Sequence, residues 1–166
     1  VHLSKVMQGA AMRDFTGIID TYSRESIPLV KTLGIHVTEA VITDTEVRAV
    51  CSLPDRPEQR NHVGGPHAGA MFTAAESASG GVVQAAFADL FSQAVPLIMN
   101  GGMRFQALAL GDIVATARMP IAEVARVRGE LAEGKRPEFF IEVEVASAEA
   151  VTGLLSTHWT LKPIKR

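Results

Sequence analysis

One cysteine, one tryptophan and one tyrosine in 166 residues set the first limits on this chain. Cys51 has no second cysteine to pair with, so an intramolecular disulfide framework is excluded. Val47, Ala49 and Leu53 flank it at period two, which predicts a strand position facing a core and a small buried hydrophobe in place of a nucleophile. Neither sign of charge is in excess. The net charge is −2 and the basic residues are scattered, so no surface built for nucleic acid or for an anionic membrane is expected. Long apolar runs are missing as well, because Glu76, Asp89 and Gln93 interrupt them well short of a membrane span. The first residues lack the cationic, apolar, small-residue order of a secretion leader, and a cytoplasmic location is expected.

What is present is a composition of 47% hydrophobic and 20% charged residues, the profile of a globular domain with a sizeable core. From Ser4 to Tyr22, apolar residues at spacings of three and four predict an amphipathic helix with Ser4 as its N-cap. Pro28 starts a short turn or helical piece that ends at Gly34. Residues 35–43 and 46–53 read as an antiparallel hairpin around Thr43, Asp44 and Thr45. A polar loop rich in proline and glycine follows, and then a helix from His67 to about Phe91 that is apolar or small nearly all round, hence buried. Within it, Gly80 and Gly81 predict close approach of another backbone.

Four more strand patterns fill the rest of the chain, the last two joined by a tight turn around Glu149. They are interrupted by a helix over residues 121–134 that starts at Pro120 and is capped by Gly134. About six strands around one apolar helix make an α+β arrangement, a curved antiparallel sheet wrapped around the helix. Residues 1–29 form a helical extension before a domain of residues 30–166.

The segment "GELAEGKR" approaches the spacing of a phosphate-binding loop, but Arg136 stands where a magnesium-binding hydroxyl is needed, and Glu130 and Glu133 would repel phosphate. It reads as a helix terminus. His62 and His67 are five apart, off the spacing of a helical zinc pair, so no metal is expected. Ser77 and Ser79 lack a recognisable His–Asp partnership and are weak candidates as nucleophiles.

The stretch "NHVGGPHAGAMFTAAESASGG" is the chemical centre of the sequence. Its glycines and Pro66 lead into a helix start, where the N–H groups of Ala68, Gly69 and Ala70 have no intrahelical partner and favour negative charge. That is a candidate oxyanion hole, with Asn61 and His67 as nearby donors. Glu76 is the lone acid in apolar surroundings, which should raise its pKa. Nine residues separate it from His67, about 13.5 Å along a helix, too far to act on one carbonyl. Two antiparallel copies about a two-fold axis would bring each N-terminus beside the other chain's acid, so a dimer with shared sites is expected.

Asn61, His67 and Glu76 in this block resemble the asparagine–histidine–glycine–glycine–acid pattern of hotdog-fold acyl-CoA thioesterases of the phenylacetic-acid type. The similarity extends over residues 30–163, through "LGIHVTEAVITDTEVRAVCSLPDRPEQRN" and "MNGGMRFQALALGDIVATARM". Ala68 stands where that pattern has its first glycine, Glu76 stands where aspartate is common, and the helical insertion is atypical. The resemblance implies a hotdog fold, a homodimer or a dimer of dimers, and hydrolysis of an acyl-CoA or acyl-carrier-protein thioester. It implies no cofactor beyond the coenzyme A of the substrate.

By the same resemblance, Asn61 would position the thioester or water, with His67 beside it. Gly65, Ala68 and Gly69 would contact substrate, the Ala68 or Gly69 amide would polarise the carbonyl, and Glu76 from the partner chain would act as general base or nucleophile. Two alternatives share the fold. A hydratase or dehydratase carries its acid nearer the helix start. A non-catalytic acyl-CoA sensor normally brings a DNA-binding segment, whereas the N-terminal 30 residues show one amphipathic helix and no evident helix-turn-helix.

Overall fold

The computed structural model describes residues 11–148 and 150–164. In chain order these form β1 (Arg13–Asp14), α1 (Thr16–Ser26), α2 (Pro28–Leu33), β2 (His36–Ile42), β3 (Glu46–Leu53) and α3 (Ala68–Phe87). Then come β4 (Ala94–Phe105), β5 (Ile113–Pro120), α4 (Ile121–Ala132), β6 (Glu138–Ser147) and β7 (Ala150–Pro163). The strands make one antiparallel sheet in the order β1-β2-β3-β5-β6-β7-β4. It wraps α3, as the hotdog resemblance implies.

Alternation builds the inner face of the sheet. Val47, Ala49, Cys51 and Leu53 of β3 and Ile113, Ala115, Ala117 and Met119 of β5 are all buried, with polar or half-exposed neighbours between them. Against them lies a helix face made of Ala70, Ala74, Ala75, Ala78 and Gly81, so backbone approaches sheet closely and the gaps are filled by Val82, Val83 and Phe87. Cys51 is fully buried here, and burial pushes its thiol up to about 12, far from a nucleophile's range.

Several boundaries differ from the sequence expectation. The proposed N-cap Ser4 and the turn at Glu149 lie outside the described residues. α1 begins only at Thr16, because Arg13 and Asp14 pair with Ile42 and Val41 as a seventh, two-residue strand. The edge of β2 then captures α1: Ala40 N–H donates to Thr16 Oγ1 and Val37 N–H to Asp20 Oδ1, each at 2.9 Å. Thr16 and Asp20 are one helical turn apart and so reach the same strand. α3 ends at Phe87 instead of Phe91, passing into a 3-10 turn at Ala88–Leu90. α4 stops at Ala132, and the phosphate-loop look-alike is its C-terminus, with Gly134 left-handed at φ 77°.

The two helix glycines separate in role. A Cβ on Gly81 would lie 3.0 Å from the Ala49 Cβ of β3, so this glycine sets the helix-to-sheet distance, while a Cβ on Gly80 meets nothing within 4 Å. Gly80→Ala is therefore expected to stabilise the fold by about 0.8–1 kcal/mol through helix propensity, and Gly81→Ala to gain less or lose stability. Urea midpoints of the two variants check this; equal shifts would contradict the assignment.

Candidate active site

The chain reaches the site through the loop between β3 and α3. Gln59 ties this loop down: its side-chain amide donates to the Leu33 carbonyl at 2.8 Å, and its own carbonyl accepts His67 N–H at 2.8 Å. Asn61 shapes the next turn. Its Oδ1 accepts the N–H groups of Val63 at 3.0 Å and Gly65 at 3.2 Å, and its Nδ2 donates to the Pro66 carbonyl at 3.3 Å. The Asn61 amide is thus turned into its own loop. Gly65 lies against the segment after β4, where a Cβ would come within 2.3 Å of the Ala109 carbonyl oxygen, so only glycine fits.

His67 is the N-cap of α3, and its Nδ1 accepts the Gly69 N–H at 2.9 Å. That bond puts the imidazole proton on Nε2, facing away from the helix. The N–H groups of Ala70 and Met71 are taken by the His67 carbonyl, at 2.9 and 3.1 Å. Among the described residues the Ala68 N–H alone of this turn has no partner. Of the two amides expected to polarise a carbonyl, Ala68 is free and Gly69 is occupied.

Glu76 sits two turns further along α3, on a half-exposed stripe with Thr73, Ser77, Gly80 and Gln84. This stripe is the polar side of an otherwise buried helix. Among the described residues the Glu76 carboxylate has no hydrogen-bonding partner, and burial pushes its pKa above the ordinary value. It lines a cavity of about 170 Å³ with Tyr22, Ser23, Val30, Gly80 and Trp159. Its backbone is anchored from behind: Ser79 Oγ donates to the Glu76 carbonyl at 2.8 Å and accepts Trp159 Nε1–H at 3.3 Å. Ser77 Oγ likewise donates to the Thr73 carbonyl at 2.7 Å, so both serine hydroxyls serve the helix backbone.

The structure gathers Asn61, Gly65, His67, Ala68 and Gly69 at one end of α3 and leaves Glu76 about 12 Å along the axis from Ala68. Three contributors have no signal in the sequence. Gln59 stands in an unremarkable polar loop, and Tyr22 and Ser23 reach the Glu76 cavity from α1, 50 or so residues away in the chain.

A family model described as "Domain of unknown function (DUF4442)" matches residues 17–160. No curated protein matches the chain. Among solved structures, a protein of unknown function from Pseudomonas aeruginosa, described as a probable thioesterase, is similar at 24% identity and TM-score 0.77. That match covers 90% of this chain and 96% of the other. A protein of unknown function from Chlorobaculum tepidum has the same TM-score of 0.77 at 13% identity, over 90% of this chain and 94% of its own. A mutant thioesterase from Pseudomonas aeruginosa follows at TM-score 0.66 and 12% identity, over 90% and 94% of the two chains. At these identities the likeness is one of fold.

Glu76 carries a prediction about stability. With its folded pKa raised, the folded chain holds a proton that the unfolded chain releases, so its contribution turns unfavourable as pH rises above the ordinary value of 4.5 and through the folded pKa. Glu76→Gln is expected to melt at a higher temperature than the wild type at neutral pH. The gap should close as pH falls to 4.5. Thermal melts across pH test this, and a variant less stable than wild type at pH 7 would oppose it.

Proposed function

The chain belongs to the DUF4442 family, a thioesterase-like hotdog domain, and we propose that it hydrolyses acyl-CoA thioesters with Glu76 as general base. The observation that carries this reading is the carboxylate of Glu76, unpaired among the described residues, in a largely apolar cavity, on the same helix whose N-terminal Ala68 amide is likewise free among them. A carboxylate whose pKa is raised by burial is a stronger base than an exposed one. In the reaction, water adds to the thioester carbonyl carbon while Glu76 takes its proton. The Ala68 N–H and the helix dipole stabilise the oxyanion. The carbon–sulfur bond then breaks, and the proton passes from Glu76 to the departing thiolate.

Ala68 and Glu76 of one chain are too far apart to share a carbonyl, so the site is completed by a second copy. The sheet edge supports this. β4 is a 12-residue edge strand exposing Val95, Leu97, Ile98 and Met99, each 40–46% accessible, which a monomer would ordinarily shield. The opposite edge is the two-residue β1. Pairing β4 with its copy about a two-fold axis continues the sheet and lays the two α3 helices antiparallel. Each Ala68 amide then faces the partner's Glu76.

Glu76→Gln is expected to lower turnover on the best acyl-CoA by a factor on the order of 10² to 10⁴ with binding largely kept, and Cys51→Ala to change it little. Asn61→Ala should also be severely impaired, through loss of the loop that sets the helix start. Refolding these two inactive variants together at equal amounts gives mixed dimers for about half the population by random pairing. Each mixed dimer has one site with both parts intact, so about a quarter of wild-type activity should return. Activity equal to the average of the two variants, with exchange confirmed, would refute the shared site. An active monomer by light scattering would do the same.

A further inference from the structure

The cavity at Glu76 has a larger neighbour. Tyr22, Gln84 and Phe91 line it and also line a second, larger cavity of about 550 Å³ toward the C-terminal end of α3. The larger chamber runs between α1 and α3, walled by Phe15, Ile18, Ile19, Ile42, Ala85 and Phe91. Ile18 and Tyr22 lie on its outer wall with 71% and 53% of their surface accessible among the described residues. At the far end, Arg128 of α4 makes a two-pronged ion pair with Asp89, at 2.7 and 2.9 Å, and also donates to the Ala86 carbonyl at 2.6 Å. Arg13 stands at the same end, 5.9 Å from the Phe15 ring.

We propose that this groove holds the acyl chain, and that the substrate class is a medium- to long-chain aliphatic acyl thioester instead of an aryl-acetyl one. The inference rests on the thioester reading above and adds the identity of the acyl group. A small ring fills only the chamber of about 170 Å³ beside Glu76 and leaves the larger one empty. An aliphatic chain whose carbonyl lies near Glu76 continues past the waist at Tyr22 and Gln84 and beneath α1. The path from Glu76 to Ala88 is about 18 Å along the helix axis. Apolar side chains supply most of the wall, the polar ones being Arg13, Tyr22, Gln84, Asp89 and Arg128, and the ion pair of Asp89 and Arg128 marks where the apolar path ends. α1 is thereby part of the binding site, held in place by the bonds of Thr16 and Asp20 to β2.

The test is kcat/KM for acetyl-, butyryl-, octanoyl-, dodecanoyl-, palmitoyl- and phenylacetyl-CoA with the full chain, alongside displacement of a fluorescent fatty acid by dodecanoate. Wild type should gain on the order of twofold or more per methylene until the groove is full. Ala85→Phe, which narrows the path, should lower the ratio of dodecanoyl to butyryl kcat/KM about tenfold. Ile18→Glu, at a solvent-facing position that leaves the core untouched, should lower the same ratio and weaken dodecanoate binding. Preference for phenylacetyl-CoA, indifference to chain length, or equal losses on dodecanoyl and butyryl substrates would overturn the groove while leaving the thioesterase reading intact. Dodecanoate binding that both variants abolish, with no thioester hydrolysed, would support the groove and defeat the thioesterase reading.

Discussion

Everything else in this molecule depends on how closely α3 lies against the sheet. Gly81 faces Ala49, and a run of alanines covers the rest of the contact, so the helix sinks into the concave face until backbone and strand side chains nearly touch. Interiors packed at this density do not deform gradually. The position of the helix start, the direction of its dipole and the depth of Glu76 are all consequences of that one contact. A bulkier face would lift the helix and move each of them together.

The same burial creates an electrostatic tension at Glu76. The carboxylate is half-buried without a partner among the described residues, and that desolvation works against folding while making it a better proton acceptor. The loop before α3 is more fully engaged, although the Gln59 Oε1 is buried without a partner among the described residues. Gln59 and Asn61 use their amides on backbone, and His67 takes the Gly69 N–H. What is left over at the helix start is the Ala68 N–H. One free donor at one end of the helix and one unpaired acid further along, counted among the described residues, are the two features on which the proposed shared site rests.

The two sides of α3 carry different duties. Toward β4 the sheet ends in a long edge exposing Val95, Leu97, Ile98 and Met99, where the proposed second copy would join. Toward α1 the helix is roofed by its own chain, and the roof leaves two neighbouring, mainly apolar cavities that share Tyr22, Gln84 and Phe91. In the proposed reading the two duties meet at Glu76, which faces the cavity beside α1 and is shared with a second subunit.

Much of this was legible in the residue pattern. Period-two alternation in Val47, Ala49, Cys51 and Leu53 determined a half-buried strand, and the small, apolar run after His67 determined a buried helix, because local geometry alone decides which residues share a face. A lone glutamate in that run is conspicuous for the same reason. The pattern did not determine where α1 starts, since the edge of β2 competes for Arg13 and Asp14, nor that Asn61 turns into its own loop. It also left open which helix-terminal amide stays free, and that Gly80 faces open space while Gly81 meets Ala49. Those outcomes rest on contacts between segments far apart in the chain. Only the tertiary structure decides them, because a hydrogen bond or a cavity wall exists only once distant residues have been brought to within a few ångströms.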